Sequence, residues 1–231
     1  MNNLENFNWG NNSDWYIDTI KKEFSGEKHV YSKVFDVEED DVVLDLGASV
    51  GPFGFVNRDK KIKHLYCFEP SIEFICPLAK NTEGINRTII PYGIGKETKF
   101  IHDNHNVYEY GKSFNFTPTV KFSDFIKKFK IEKIDFLKTD CEGGEYDVFN
   151  NDNVEWIFKN VRKITGEWHL NTVETKEKFR TFRDSYLKMF TNYEVYSVDG
   201  VNIKWDLWNE HFIEYYNEVI IHIDNRKNGD K

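Results

Sequence analysis

Cysteine and proline are scarce in this chain, at three and five in 231 residues. Cys67, Cys76 and Cys141 form no C-x-x-C pair, so neither a disulfide scaffold nor a cysteine metal site is expected, and a reducing compartment suits them. No apolar run approaches the roughly 20 residues needed to span a bilayer. Met1 to Gly10 is polar and Asn-rich, without the basic and apolar segments of a signal peptide. A soluble, cytoplasmic protein with no membrane partner is expected. Positive charge is in deficit too: 31 Lys and Arg against 39 Asp and Glu give a formal charge of -8. A phosphate backbone would meet net repulsion and no basic stripe, so nucleic acid is not the expected partner.

Aromatic residues, in contrast, are plentiful at 16%, with 20 Phe, and supply ample material for a core. The length stays below the roughly 250 residues at which single cores split. With no internal repeat and no long linker, residues 31–231 read as one domain and residues 1–30 as an N-terminal helical cap. In Asp14 to Phe24, Ile17, Ile20 and Phe24 recur at helical spacing. Buried strands are predicted at Val42 to Leu46, His64 to Phe68 and Arg87 to Ile94, with a helix from Ser71 to Asn81 that Pro77 should kink or shorten. A helix carrying Phe122, Phe125, Ile126 and Phe129 leads to a strand at Ile134 to Leu137, and Lys163 to Trp168 is the next. Phe179, Phe182 and Tyr186 line another helix before Tyr193 to Val198, and Glu218 to Asp224 ends the series. This alternation predicts an α/β fold, a mostly parallel Rossmann-like sheet with a C-terminal antiparallel hairpin.

The segment Asp45-Leu46-Gly47-Ala48-Ser49-Val50-Gly51 ends the first strand, where an open α/β sheet places its ligand crevice. Gly47 and Gly51 allow a sharp turn and close approach of a ligand to the backbone. Glu69, followed by Pro70, ends the second strand, where its carboxylate can accept both ribose hydroxyls of a nucleoside. The G-x-G-x-x-G spacing that admits a pyrophosphate is missing. S-adenosylmethionine has no phosphate, and a turn flanked by acids suits it better; Asp45, Gly47, Ala48, Ser49, Gly51, Glu69, Pro70 and Asp140 are the expected cofactor residues. The plain alternative is a strand-turn-helix junction whose glycines serve backbone geometry only.

The run from Ile134 to Tyr146, IDFLKTDCEGGEY, takes an apolar strand into a dense cluster of ionisable groups. In a doubly wound sheet this strand end opens into the same crevice, so Asp140 should face the transferable methyl group or its acceptor. Glu145 begins the next helix and could instead favour its N-terminal dipole.

Three blocks resemble the FkbM-type methyltransferases, a class I S-adenosylmethionine-dependent family. They are DLGASVG with Phe53; FEP at Phe68 to Pro70 with Asn81 beyond it; and a signature matched by Asp135, Phe136, Lys138, Asp140, Glu142, Gly143 and Glu145. Ser49 stands where that family usually has Asn, and Gly54 where a small hydroxylated residue is common. The resemblance runs from about Tyr31 to the C-terminal strands and implies a class I methyltransferase sheet, S-adenosyl-L-methionine as cofactor, an acidic residue near Glu167, and in many members a hydroxylated sugar or glycan acceptor.

Asp140, Glu142, Glu167 and His169 are the expected catalytic residues. His169 suits a general base because an ordinary imidazole titrates near 6.5; the competing reading is a surface histidine at a strand end. These four could also hold Mg²⁺ or Mn²⁺, but they show no i, i+4 spacing and the family does not in general demand a metal, so no metal site is expected. His102 and His105, near Asp103, read as loop, and Trp205 and Trp208 as either a sugar-stacking surface or a cover for the sheet edge. The expected activity is O-methylation of a hydroxyl on a glycan or other polar small molecule. An N-methyltransferase, a natural-product methyltransferase and a silent nucleoside-binding module stay open beside it.

Overall fold

Val42–Leu46 (β1) and Ile134–Thr139 (β6) are apolar runs buried on both faces, and they lie side by side at the centre of the sheet. The computed structural model describes residue 4 and residues 6–24, 29–99 and 118–226. His64–Phe68 (β2) and Arg87–Ile90 (β3) extend the sheet on one side of β1. Val161–His169 (β7), Glu218–Asp224 (β9) and Tyr193–Tyr196 (β8) extend it beyond β6, giving the order β3-β2-β1-β6-β7-β9-β8. Only β9 runs against its neighbours, antiparallel to both β7 and β8. The predicted C-terminal antiparallel pair is therefore found, though β8 and β9 are joined by a wide connection that contains a short helix, Glu210–Tyr215 (α8).

Strand residues alternate between faces, and that alternation separates two layers. Val43, Leu65, Cys67 and Phe136 pack under Asp14–Phe24 (α1), Pro52–Val56 (α2) and Ile72–Asn81 (α3), meeting Ile20, Phe24, Phe53 and Leu78. Leu44, Leu46, Leu137 and Trp168 pack on the other face. That face is covered by Phe122–Phe129 (α4), Glu145–Val148 (α5), Val154–Asn160 (α6), Val173–Thr181 (α7) and α8.

Two local expectations change. The run Arg87 to Ile94 is not one strand: Pro91 has no N–H for a ladder, so β3 stops at Ile90. Gly93–Ile94 (β4) then pairs with Thr119–Val120 (β5) in a separate two-stranded sheet. Conversely, α3 runs through Pro77 to Asn81. The carbonyl that Pro77 leaves unpaired is that of Glu73, an exposed first-turn residue within reach of water. Among the described residues no helix is long and apolar enough to cross a membrane. His102, Asp103 and His105 lie outside the described residues.

Candidate active site

The carboxyl ends of β1, β2, β6 and β7 open into a cavity of about 900 Å³, walled on its far side by α1. Gly47, with φ +74°, begins the first turn, and a Cβ there would lie 1.7 Å from the carbonyl oxygen of Asp140, so only glycine lets the turn after β1 sit against the end of β6. The amides of Gly47 and Ala48 both donate to the Phe68 carbonyl, at 3.1 and 2.8 Å, which fastens the turn to the end of β2. Glu69 follows immediately. Its two carboxylate oxygens accept from the amides of Ser49 and Ser71, each at 2.7 Å. Burial pushes the Glu69 carboxyl above its ordinary range, against the pull of those amides.

Register explains the centre of the site. Asp45 of β1 pairs with Lys138 of β6, so both side chains leave the same face of the sheet. Lys138 Nζ lies 3.3 Å from Asp45 Oδ1 and 3.7 Å from Asp140 Oδ2, and donates to the Gly47 carbonyl at 2.8 Å. Burial alone would discharge the ammonium, but Asp45 and Asp140 outweigh it and hold Lys138 protonated, above its ordinary value. Neither Asp45 oxygen makes a hydrogen bond. Gly47, Ser49, Glu69, Pro70 and Asp140 line the cavity; Asp45, Ala48 and Gly51 stand behind it.

At the other end, Tyr31, fully buried, donates to Asp140 Oδ2 at 2.9 Å, and its hydroxyl oxygen lies 3.3 Å from Glu167 Oε1. Burial, followed by the charges of Asp140, Glu23 and Glu218, pushes the Glu167 carboxyl up to about 9. Burial, then Asp140, raises Glu23 of α1 to about 7. His169 is not a surface residue but 3% exposed. Its Nδ1 lies 3.3 Å from Glu145 Oε1, which also accepts the His169 amide at 2.8 Å, while Glu145 Oε2 accepts the Gly143 amide at 2.9 Å. Burial works to lower the imidazole's pKa, but the hydrogen bond and charge of Glu145, with Asp140 and Glu142, raise it to about 9. The expectation of a base rested on the ordinary value, and the buried Glu145 carboxylate shifts that value upward. Glu142, with φ +52°, turns outward and its side chain is 82% exposed, with Oε2 3.5 Å from His169 Nε2.

Sequence reasoning gave no role to Tyr31, Lys138, Tyr16 or Glu23, and Glu145, in the first turn of α5 as expected, is also buried beneath His169. Tyr16 of α1 shares a hydrogen bond with Ser49 and stacks on Phe74 of α3 with ring centroids 5.9 Å apart. Trp205 and Trp208 do not line the cavity; Lys188 lies over the Trp208 ring at 5.2 Å.

A seven-stranded sheet with one reversed strand, a glycine turn after β1 and an acid after β2 give the chain the fold of the class I methyltransferases. Residues 45–194 match the methyltransferase FkbM domain, and the chain belongs to that family. In sequence it is 24% identical over 181 residues to the hexuronic acid methyltransferase AglP of Haloferax volcanii, covering 67% of this chain and 74% of that protein. In structure it is similar to a methyltransferase FkbM from Methylobacillus flagellatus KT, with TM-score 0.53 and 15% identity, over 83% of this chain and 45% of that one. The chain thus spans less than half the length of that protein. A fibrillarin/Nop5p complex is similar at TM-score 0.50 and 15% identity, over 84% and 76% of the two chains. These two likenesses are of fold.

Proposed function

We propose that the protein transfers the methyl group of S-adenosylmethionine to an oxygen of a polar acceptor, a hydroxyl of a sugar or glycan. The observation that carries this reading is the placing of Glu69. Each of its oxygens is fixed by one backbone amide and keeps lone pairs for the vicinal hydroxyls of a ribose. The donor fits the rest of the cavity by chemistry. Backbone at Gly47 and Ser49 offers close approach, Phe68 and Ile94 offer apolar surface for a base, and the acids suit a cationic sulfonium with its amino group. Asp45 acts through Lys138, which ties the first turn to Asp140 and so positions both ends of the crevice.

Asp140 stands at the junction of donor and acceptor, with Glu167 and His169 on the acceptor side and Glu142 at the mouth. In an in-line displacement the acceptor oxygen bonds to the methyl carbon as the carbon–sulfur bond breaks, and the hydroxyl proton passes to Asp140 or to water. Holding those atoms collinear is worth effective molarities of about 10⁵ M or more. The likeness to a hexuronic acid methyltransferase favours a glycan acceptor. A polyanion such as RNA is disfavoured by Asp140 and Glu142, which line the cavity, and by the net charge of -8.

Calorimetry with S-adenosylmethionine and S-adenosylhomocysteine tests the reading, with NAD as the contrast. Both adenosyl compounds should bind and NAD far more weakly. Glu69→Ala should lose about 1.5 to 3 kcal/mol of affinity, the range for hydrogen bonds to a charged group. Equal affinity for a folded Glu69→Ala variant removes the assignment. A methyl-transfer screen against glycans and small hydroxylated compounds then identifies the acceptor.

A further inference from the structure

We propose that Asp140, Glu167 and His169 form a binding site for one divalent cation of the Mg²⁺ or Mn²⁺ class at the acceptor end of the crevice. One ligand atom from each of the three lies within 4.8 Å of the other two. An octahedral ion with ligands at about 2.1 Å sets neighbouring ligand atoms about 3 Å apart and opposite ones about 4.2 Å apart. His169 Nε2 is 4.0 Å from Asp140 Oδ1, close to the spacing of opposite ligands, and with the Glu167 atom within 4.8 Å of both the triad closes by side-chain shifts of about an ångström.

Three features distinguish this triad from a chance meeting of acids. Tyr31 takes one oxygen of each carboxyl, Asp140 Oδ2 and Glu167 Oε1, and so orients both groups while leaving Oδ1 and Oε2 without a hydrogen bond among the described residues. His169 Nε2 makes no hydrogen bond either, although the ring is only 3% exposed and this edge faces the carboxylates. The opposite edge, Nδ1, is set against the fully buried Glu145 carboxylate, itself fixed by two backbone amides. A histidine whose second nitrogen is held by a carboxylate is the usual orienting arrangement behind a metal ligand. The Lys138 ammonium, 3.7 Å from Asp140 Oδ2, also lies against Asp45 and hydrogen-bonds the first turn.

Two carboxylate oxygens with one imidazole nitrogen suit Mg²⁺ or Mn²⁺ rather than a thiophilic ion, and the ion binds as the protons of Glu167 and His169 pass to water. The remaining coordination positions would face the cavity and take acceptor oxygens. A hydroxyl on the ion ionises more readily, its proton passing to water, and the oxygen then bonds to the methyl carbon as that carbon leaves sulfur. This last role rests on the methyl-transfer reading, whereas the ion site stands on its own geometry.

The test titrates Mn²⁺ alone into the metal-stripped full chain, with no methyl donor, followed by calorimetry and by loss of the free-ion electron paramagnetic resonance signal. One site should be seen. Glu167→Gln and His169→Gln should weaken it at least tenfold, and Glu145→Gln about ten- to hundredfold as expected for an orienting partner. Glu155→Gln, altering a side chain on α6 that is 80% exposed and does not line the cavity, should keep it. Melting curves establish that each variant is folded. Absence of Mn²⁺ binding at millimolar concentration, or wild-type binding by Glu167→Gln, overturns the proposal. S-adenosylmethionine calorimetry on the same sample separates the two readings: donor binding without Mn²⁺ binding removes only the ion, and Mn²⁺ binding without donor binding removes the methyl-transfer reading instead.

Discussion

Asp45 and Lys138 occupy paired positions of β1 and β6, with side chains 0% and 4% exposed. An ionisable group that deep persists only if another answers it, and the register brings the two together at 3.3 Å. Removing one partner leaves the other charge buried and alone, so Lys138→Met should cost about 3 to 5 kcal/mol of folding stability. The double variant Asp45→Leu with Lys138→Met should recover much of that loss. Urea unfolding of the three proteins measures it, and a double variant no more stable than Lys138→Met would show that the pair acts through something other than charge. This pair was half legible in the sequence. Asp45 and Lys138 each interrupt an apolar run, which signals a buried partner, but only the strand register reveals that they answer each other. The acceptor cluster was legible as residue types at strand ends. Its geometry was not, because the contacts of Tyr31 with Asp140 and of Glu145 with His169 are long-range and leave no spacing in the chain.

At the scale of elements, α1 is more than a cover. Trp15, Tyr16, Thr19 and Glu23 form one wall of the cavity, and the segment before α1 is clipped to the first turn by Asn81 at the end of α3. The Asn81 side chain accepts from the Asn8 amide at 2.7 Å and donates to the carbonyls of Asn8 and Val50 at 2.8 and 2.7 Å. Asn81→Ala leaves those backbone groups without partners, at a cost of about 1 to 3 kcal/mol. Hydrogen exchange should quicken in residues 14–24 while the amides of β1 and β6 stay protected. Unchanged exchange in α1 would mean that its packing through Ile20 and Phe24 suffices to hold it. Periodicity found α1, β1, β2, α4 and β9 at their observed limits, because each couples a clean apolar pattern to a turn or a polar boundary. It missed the split at Pro91 and the two-stranded sheet of β4 and β5, whose pairing depends on a partner remote in sequence. That α1 would face the cofactor crevice had no local signal at all, since its apolar stripe only says which side is buried.

For the molecule as a whole, two buried histidines set an acid limit. Burial lowers His29 from the ordinary 6.5 to about 4 and His222 to about 3. His29 hydrogen-bonds Ser32 through Nε2, packs between Phe24 and Phe53, and has Asp36 and Lys60 as its nearby charges. His222 hydrogen-bonds Thr165 through Nδ1, lies between Phe35 and Tyr196, and faces the charges of Lys33 and His29. As pH falls below 6.5, the unfolded chain takes up protons on both rings and the folded chain does not. Their contribution is therefore whole above 6.5 and declines as pH drops, until the folded rings protonate near 4 and 3. Each ring costs on the order of 1.4 kcal/mol per pH unit inside its window. Glu23 and Glu167, raised to about 7 and 9, run in the opposite sense: the folded chain keeps their protons longer, so their contribution grows as pH falls toward 4.5. The two effects oppose each other between 4.5 and 6.5. The histidine part is isolated by difference. His222→Asn should be less stable than wild type at pH 7, and the gap should narrow steadily from pH 6.5 to 3, because Asn has no proton to gain. Urea unfolding of both proteins across that range decides it, and two parallel curves would show that His222 is not held neutral by its burial.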